Sequence, residues 1–284
     1  MALQTEGSET TRTLPVPGAS LYYEVSGSGP TLLLIPGGPV DADGWAPILG
    51  FLEERYSVVR YDPRGISRSR LEDPETVSVE THADDAARLL QAIGGEPAFV
   101  LGHSGGGVIG LALVERYPDL VKTYVAHEPP LVELLPEDDP RRAEGKAIYE
   151  TYQQHGAEAA MAQFMGAAGL DGEEQGPAAD MSPEALEVVS EAMARTEQNL
   201  DFFIAHYLLP ITSYEPDFAA LQEASTRVEV GVGEASVGQE TYDTALALAE
   251  RLGTEVVTFP GDHVGMATHP EAFADKLRGV FQAQ

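Results

Sequence analysis

The chain has 284 residues, enough for one large domain or a domain with an insertion, and its 43% hydrophobic and 22% charged residues are those of an ordinary globular protein. Its 46 acidic against 17 basic residues give a formal charge of −29, a surface that repels phosphate backbones and anionic bilayers, so no nucleic-acid and no peripheral-membrane partner is expected. With no cysteine, disulfides, thiolate metal sites and cysteine nucleophiles are excluded. The polar start, Met1-Ala2-Leu3-Gln4-Thr5-Glu6, lacks the basic and apolar regions of a signal peptide, and no apolar run approaches the ~18 residues of a membrane span, so a cytoplasmic location is expected.

In chain order, residues 11–17 and 19–25 read as two strands around a Pro-Gly turn. Residues 31–35, almost pure leucine and isoleucine, read as a buried strand ending in Pro36-Gly37-Gly38-Pro39. A helix over 45–55 and a strand over 57–61 follow, the strand running into Asp62-Pro63-Arg64-Gly65, whose Asp62 and Arg64 are expected to brace that loop. Then come a helix over 81–93, a strand over 98–101, a glycine-rich turn, a helix over 108–117 and a sixth strand over 122–126 that leads into His127-Glu128-Pro129-Pro130. Alternation of strand and helix predicts a mainly parallel sheet covered on both faces.

From residue 131 to 214 the alternation stops. The spacing predicts helices over 141–155, 157–168, 183–198 and 200–209, with a Gly-, Glu- and Pro-rich linker over 169–182. This stretch reads as a helical insertion covering one end of the sheet, because ligands of open α/β sheets bind at the carboxyl ends of the strands. The segment 218–224, a strand over 227–232, a helix over 242–251, a strand over 255–259, Gly261-Asp262-His263 and a helix over 271–282 complete the chain. The domains expected are therefore a core of residues 1–130 and 215–284 and an inserted cap of 131–214.

The most informative stretch is Gly102-His103-Ser104-Gly105-Gly106, a G-x-S-x-G pattern between an apolar strand and a helix. A serine on so sharp a turn has an exposed hydroxyl, and the first amides of the helix point toward it and can bind negative charge. A serine hydroxyl becomes a nucleophile only when a base removes its proton, and the base needs an acidic group to fix its tautomer.

With Pro36-Gly37-Gly38-Pro39, Asp62-Pro63-Arg64-Gly65, Gly102-His103-Ser104-Gly105-Gly106 and Gly261-Asp262-His263 in this order, the chain resembles the α/β-hydrolases over about residues 11–131 and 227–281. The resemblance implies an α/β-hydrolase fold: a mainly parallel eight-stranded sheet flanked by helices, with a helical cap inserted after strand six. It also implies Ser104 as nucleophile and His263, on the loop past the last strand, as general base. His103 is expected to support the turn, and His82, His155, His206 and His269 lack catalytic placement.

In most of that family the acid is an aspartate in the loop after strand seven, at the third position from a glycine. Here Gly233-Glu234-Ala235-Ser236 puts a serine there. Two candidates stand. Glu128, at the end of strand six, resembles the placement in haloalkane dehalogenases and is followed by two prolines that fix the backbone. Glu234 is the alternative acid. The oxyanion hole implied by the resemblance is the backbone N–H of Gly105 together with that of Gly38.

The expected function is a serine hydrolase acting on an ester or lactone of a small apolar substrate through a Ser-His-Glu triad and an acyl-enzyme. The alternatives are an aminopeptidase similar to the proline iminopeptidases, suggested by Pro36-Gly37-Gly38-Pro39, a cofactor-free perhydrolase, and a ligand-binding receptor on the same fold. Epoxide hydrolysis and dehalogenation are disfavoured, since their usual nucleophile is a carboxylate. No cofactor and no metal are expected: no His or carboxylate spacing resembles a metal site, and residues 102–107 lack both the P-loop lysine and the G-x-G-x-x-G spacing. The expected partner is a small-molecule substrate, and the oligomeric state is left open.

Overall fold

The computed structural model describes residues 10–73, 77–167 and 183–283. Its strands are β1 (Thr10–Val16), β2 (Ala19–Gly27), β3 (Thr31–Ile35), β4 (Ser57–Tyr61), β5 (Arg70–Leu71), β6 (Ala98–His103), β7 (Val121–His127), β8 (Arg227–Gly233) and β9 (Val256–Phe259). Its α-helices are α1 (Ala46–Glu53), α2 (Val79–Ile93), α3 (Gly105–Arg116), α4 (Glu144–His155), α5 (Ala157–Ala167), α6 (Pro183–Phe202), α7 (Leu208–Thr212), α8 (Phe218–Glu223), α9 (Glu240–Leu252), α10 (Gly265–Thr268) and α11 (Pro270–Gln282).

The sheet runs β1-β2-β4-β3-β6-β7-β8-β9, antiparallel at β1-β2 and β2-β4 and parallel from β4 onward. The eight expected strands are all present. The two-residue β5, which pairs with β2, adds a short ninth.

The leucine-rich β3 is apolar throughout because both its faces are covered. Leu33 and Ile35 belong to one core with α2, α3 and α9, whereas Leu32 and Leu34 belong to the other with α1 and α11. The same alternation sends Val100 to the first core and Phe99 and Leu101 to the second. Local signals set the helix ends. Ser78 caps α2 by accepting from the Thr81 N–H, and α9 ends at Gly253 in the left-handed region, φ +71°.

Between β7 and α8 the described chain is helical. The linker expected over 169–182 lies outside the described residues. The break expected near residue 199 is not there: α6 runs unbroken from Pro183 to Phe202 and passes through a π-helical turn, Phe203–Tyr207, into α7. An asparagine suggests a helix boundary because its side chain competes for local backbone bonds. Asn199 instead spends its amide on residues far away in sequence, so the helix continues.

These helices pack on the loops that follow β4 and β6. Against Gly65, which has φ +78°, the Phe202 ring packs so closely that a side chain there would overlap it. Above Gly105, the Tyr207 ring lies 3.0 Å and Ile211 lies 3.5 Å from where a Cβ would stand. Beneath them, Arg64 and Asp85 form a buried bidentate pair, Nε–Oδ2 at 2.7 Å and Nη2–Oδ1 at 2.6 Å. The wholly buried Asp62 accepts from the Ala42 and Arg68 amides, both at 2.9 Å. These bonds brace the loop after β4.

Candidate active site

Ser104 caps α3 with φ +54° and ψ −124°. Its amide donates to the His127 carbonyl at 2.9 Å, and its carbonyl accepts from Gly107 at 2.8 Å. A side chain at Gly106 would overlap the Ile35 carbonyl, and one at Gly37 would put its Cβ 2.6 Å from that of Ser104. The turn therefore exists only because glycine lets the ends of β3 and β6 and the start of α3 approach one another. Among the described residues, positive φ outside glycine occurs at Ser67, Ser104 and Glu128. Such conformations persist where surrounding structure over-determines them.

His263, in the loop after β9, is 7% exposed, and its Nδ1 stands 2.6 Å from Oε2 of the wholly buried Glu128. The other oxygen, Oε1, accepts from the Gly233 amide at 2.8 Å, and Thr241 Oγ1 donates to Oε2 at 3.3 Å. Thr241 Oγ1 also lies 3.4 Å from His263 Nδ1. Burial pushes the Glu128 carboxyl up. The bond from His263, the nearby His127 and the Gly233 amide outweigh it and hold the group down to about 2. An ionised carboxylate only accepts, so Nδ1 of His263 carries the hydrogen of that bond.

Glu234, by contrast, is exposed, and its amide donates to the Phe259 carbonyl at 2.9 Å. Its carboxylate has no bond to His263 among the described residues. The chain that places Glu234 at the surface uses the preceding amide, that of Gly233, to hold Glu128.

Two more histidines sit beside this pair. The His103 ring centroid lies 4.5 Å from that of His263, and His103 Nδ1 lies 3.3 Å from His127 Nδ1. Burial pushes His127 down to about 4, with the neighbouring His263 adding to the effect against the pull of Glu128. Desolvation, with His263 and His127 adding to it, holds His103 well below the ordinary histidine range. His103 thus touches the base itself as well as carrying the turn.

Ser104 Oγ makes no hydrogen bond to His263 among the described residues, although the two are linked through His103, the residue before the serine. Bonds of this kind are often long in unliganded enzymes and tighten when substrate binds. Gly38 turns the loop with φ +60°, and neither its amide nor that of Gly37 is held by a backbone bond among the described residues. No group of three or more His, Asp or Glu residues among those described could hold a metal ion, and no described helix is long and apolar enough to cross a membrane.

Comparison with known proteins now decides the family. The chain is 37% identical over 277 residues, 96% of each protein, to the uncharacterized hydrolase YraK of Bacillus subtilis strain 168. The chain belongs to the α/β-hydrolase family. The family's sequence model, described as the alpha/beta hydrolase fold, matches residues 30–168. A hydrolase from Pseudomonas aeruginosa PA01 superposes with a TM-score of 0.72 at 22% identity, covering 96% of this chain and 98% of its own. The enol-lactonase from Burkholderia xenovorans LB400 superposes with 0.73 at 18% identity, covering 96% of this chain and 100% of its own. At such identities these two likenesses speak for the fold.

Sequence reasoning did not single out Thr241, His127 or Asn199. Thr241 and Asn199 meet their partners across large sequence separations, and His127, though next to Glu128, meets His103 only through the pairing of β6 with β7.

Proposed function

We propose that this α/β-hydrolase cleaves an ester or lactone of a small apolar substrate through an acyl-enzyme. Ser104 is the nucleophile, His263 the general base and Glu128 the acid that orients it. The observation carrying this reading is the 2.6 Å approach of His263 Nδ1 to the buried Glu128, beside a serine strained onto the start of α3. In the reaction Ser104 Oγ attacks the carbonyl carbon while His263 Nε2 takes its proton. The tetrahedral oxyanion is met by the N–H groups of Gly105 and Gly38, and the imidazolium is stabilised by Glu128. Collapse of the intermediate expels the alkoxide, which receives the proton from His263. Water then repeats the sequence on the acyl-serine and releases the acid.

The described helices between β7 and α8 act as a lid on the core in this reading. Tyr207 and Ile211, standing over Gly105, give the site a largely apolar roof that also carries the Tyr207 hydroxyl, and the formal charge of −29 disfavours anionic substrates.

The test is intact mass after exposure to a fluorophosphonate, run beside Ser104→Ala, Glu128→Gln and Glu234→Gln. One adduct on the wild type, absent from Ser104→Ala and slowed in Glu128→Gln alone, supports the triad as written. Slowing in Glu234→Gln instead moves the acid to the loop after β8. A folded wild type that takes up no probe favours the receptor reading.

A further inference from the structure

The two central residues of the site are not alone in their strain. Ser67, in the loop after β4, has φ +45° and joins Ser104 and Glu128 as a non-glycine residue held in the left-handed region. What holds it is Asn199. Its Oδ1 accepts from the Ser67 amide at 2.8 Å, while Nδ2 donates to Ser67 Oγ at 2.9 Å and to the Pro39 carbonyl at 2.8 Å. Asn199 is 5% exposed, and its amide joins the loop after β4 to the loop after β3. Pro39 directly follows Gly38, whose amide is held by no backbone bond among the described residues. A segment of two prolines and two glycines makes few bonds of its own, and the Asn199 bridge ties it directly at Pro39, two residues before Asp41.

On the basis of the serine-hydrolase reading above, we propose that Asn199 is a positioning residue that sets the oxyanion loop, coupling the docking of α6 to the placement of the Gly38 amide. The same helix carries Arg195, whose Nε pairs with Asp41 Oδ2 at 2.7 Å and whose other nitrogen reaches Asp43. Just beyond α6, Tyr207 and Ile211 roof Gly105. Docking the helix thus closes the site and aims its second oxyanion donor in one event. With the helix undocked, Ser67 loses the groups that hold its backbone, Pro39 loses its donor, and the loop relaxes away from the charge that develops on the substrate. Hydrolysis is then confined to the closed, water-poor state.

The experiment compares wild type, Asn199→Asp, Asn199→Ala and Arg195→Gln for the rate of fluorophosphonate capture by Ser104 and for kcat and KM on p-nitrophenyl acetate. Asn199→Asp keeps the shape of the side chain and the acceptor for the Ser67 amide, but cannot donate to Pro39. Arg195→Gln loosens the same helix and leaves the bridge intact. Both Asn199 variants are expected to lose about 10-fold or more in capture rate and kcat, with KM within about 3-fold, while Arg195→Gln stays within about 3-fold in all three. Capture by Asn199→Asp at the wild-type rate overturns the proposal. So does an equal loss in Arg195→Gln, which would show that the rate follows the docking of α6 on Asp41 and Asp43 in general and not the bond from Asn199 to Pro39. A folded wild type without an adduct on Ser104 overturns the serine-hydrolase reading instead, and the positioning role of Asn199 falls with it.

Discussion

The amide of Gly233 donates to Glu128 Oε1 at 2.8 Å, so the loop after β8 serves a carboxylate that arrives at the end of β7. The two meet because β7 and β8 are parallel neighbours in register, His127 opposite Gly231, and their carboxyl ends emerge side by side. With one oxygen held by that amide and the other by His263, Glu128 has one geometry open to it. Replacing it by glutamine is expected to favour the wrong imidazole tautomer and to lower kcat/KM by roughly 10⁴, the cost of the equivalent change in the serine-protease triad that is the standard case. Glu234→Gln is expected to stay within about 3-fold, since exposed substitutions away from a site change little. Steady-state kinetics on p-nitrophenyl acetate separate the two.

Thr241 reaches Glu128 and His263 at once, at 3.3 Å and 3.4 Å. Both bonds are long, so the hydroxyl steadies the pair without creating it. Thr241→Val keeps the shape of the side chain and removes the donor. We expect kcat/KM to fall by roughly 3- to 10-fold, about the worth of one weak bond to a charged group, with the thermal midpoint shifted by only a few degrees. Thr241→Ser is expected to restore the rate.

The elbow also makes a stability prediction. A methyl group at Gly106 overlaps the Ile35 carbonyl, and neither backbone can yield without opening the sheet beside the helix. Gly106→Ala is therefore expected to cost more than about 3 kcal/mol in urea unfolding. Gly50, in α1, and Gly279, in α11, have open space where a Cβ would stand. Alanine at either is expected to be neutral or to stabilise by up to about 1 kcal/mol, because it removes the entropy a helical glycine loses on folding. A variant Gly106→Ala as stable as these two would sink the close-packing account of the turn.

Acid sensitivity should arise away from the catalytic pair as well. His82 is buried on α2, neither ring nitrogen has a hydrogen-bond partner among the described residues, and burial, with Arg64 nearby, pushes it down from 6.5 to about 3. Between those values the unfolded chain binds a proton that the folded chain refuses. Stability is thus full above about pH 6.5 and falls as the pH drops toward 3. Glu128 acts lower down: its depressed value means that its contribution, present above 4.5, is lost as the pH falls toward about 2. His82→Leu is expected to flatten the urea midpoint between pH 6 and 4. An unchanged slope would show that His82 is not the group responsible.

Much of this protein is legible without a structure because its signals are local. Leu32, Leu33, Leu34 and Ile35 announce a strand covered on both faces, and Gly102, Ser104 and Gly106 announce a turn that only small residues permit, since backbone sterics act between near neighbours. The order of motifs then carries the family, and with it the sheet. The partner of His263 was left open between Glu128 and Glu234 because strand adjacency decides it: β7 and β8 lie together in the sheet while more than a helical insertion separates them in the chain. Asn199 could not be read for the same reason. Its amide bridges Pro39 and Ser67 only because packing carries α6 across two loops, and a hydrogen bond depends on distance in space, which the order of residues does not state.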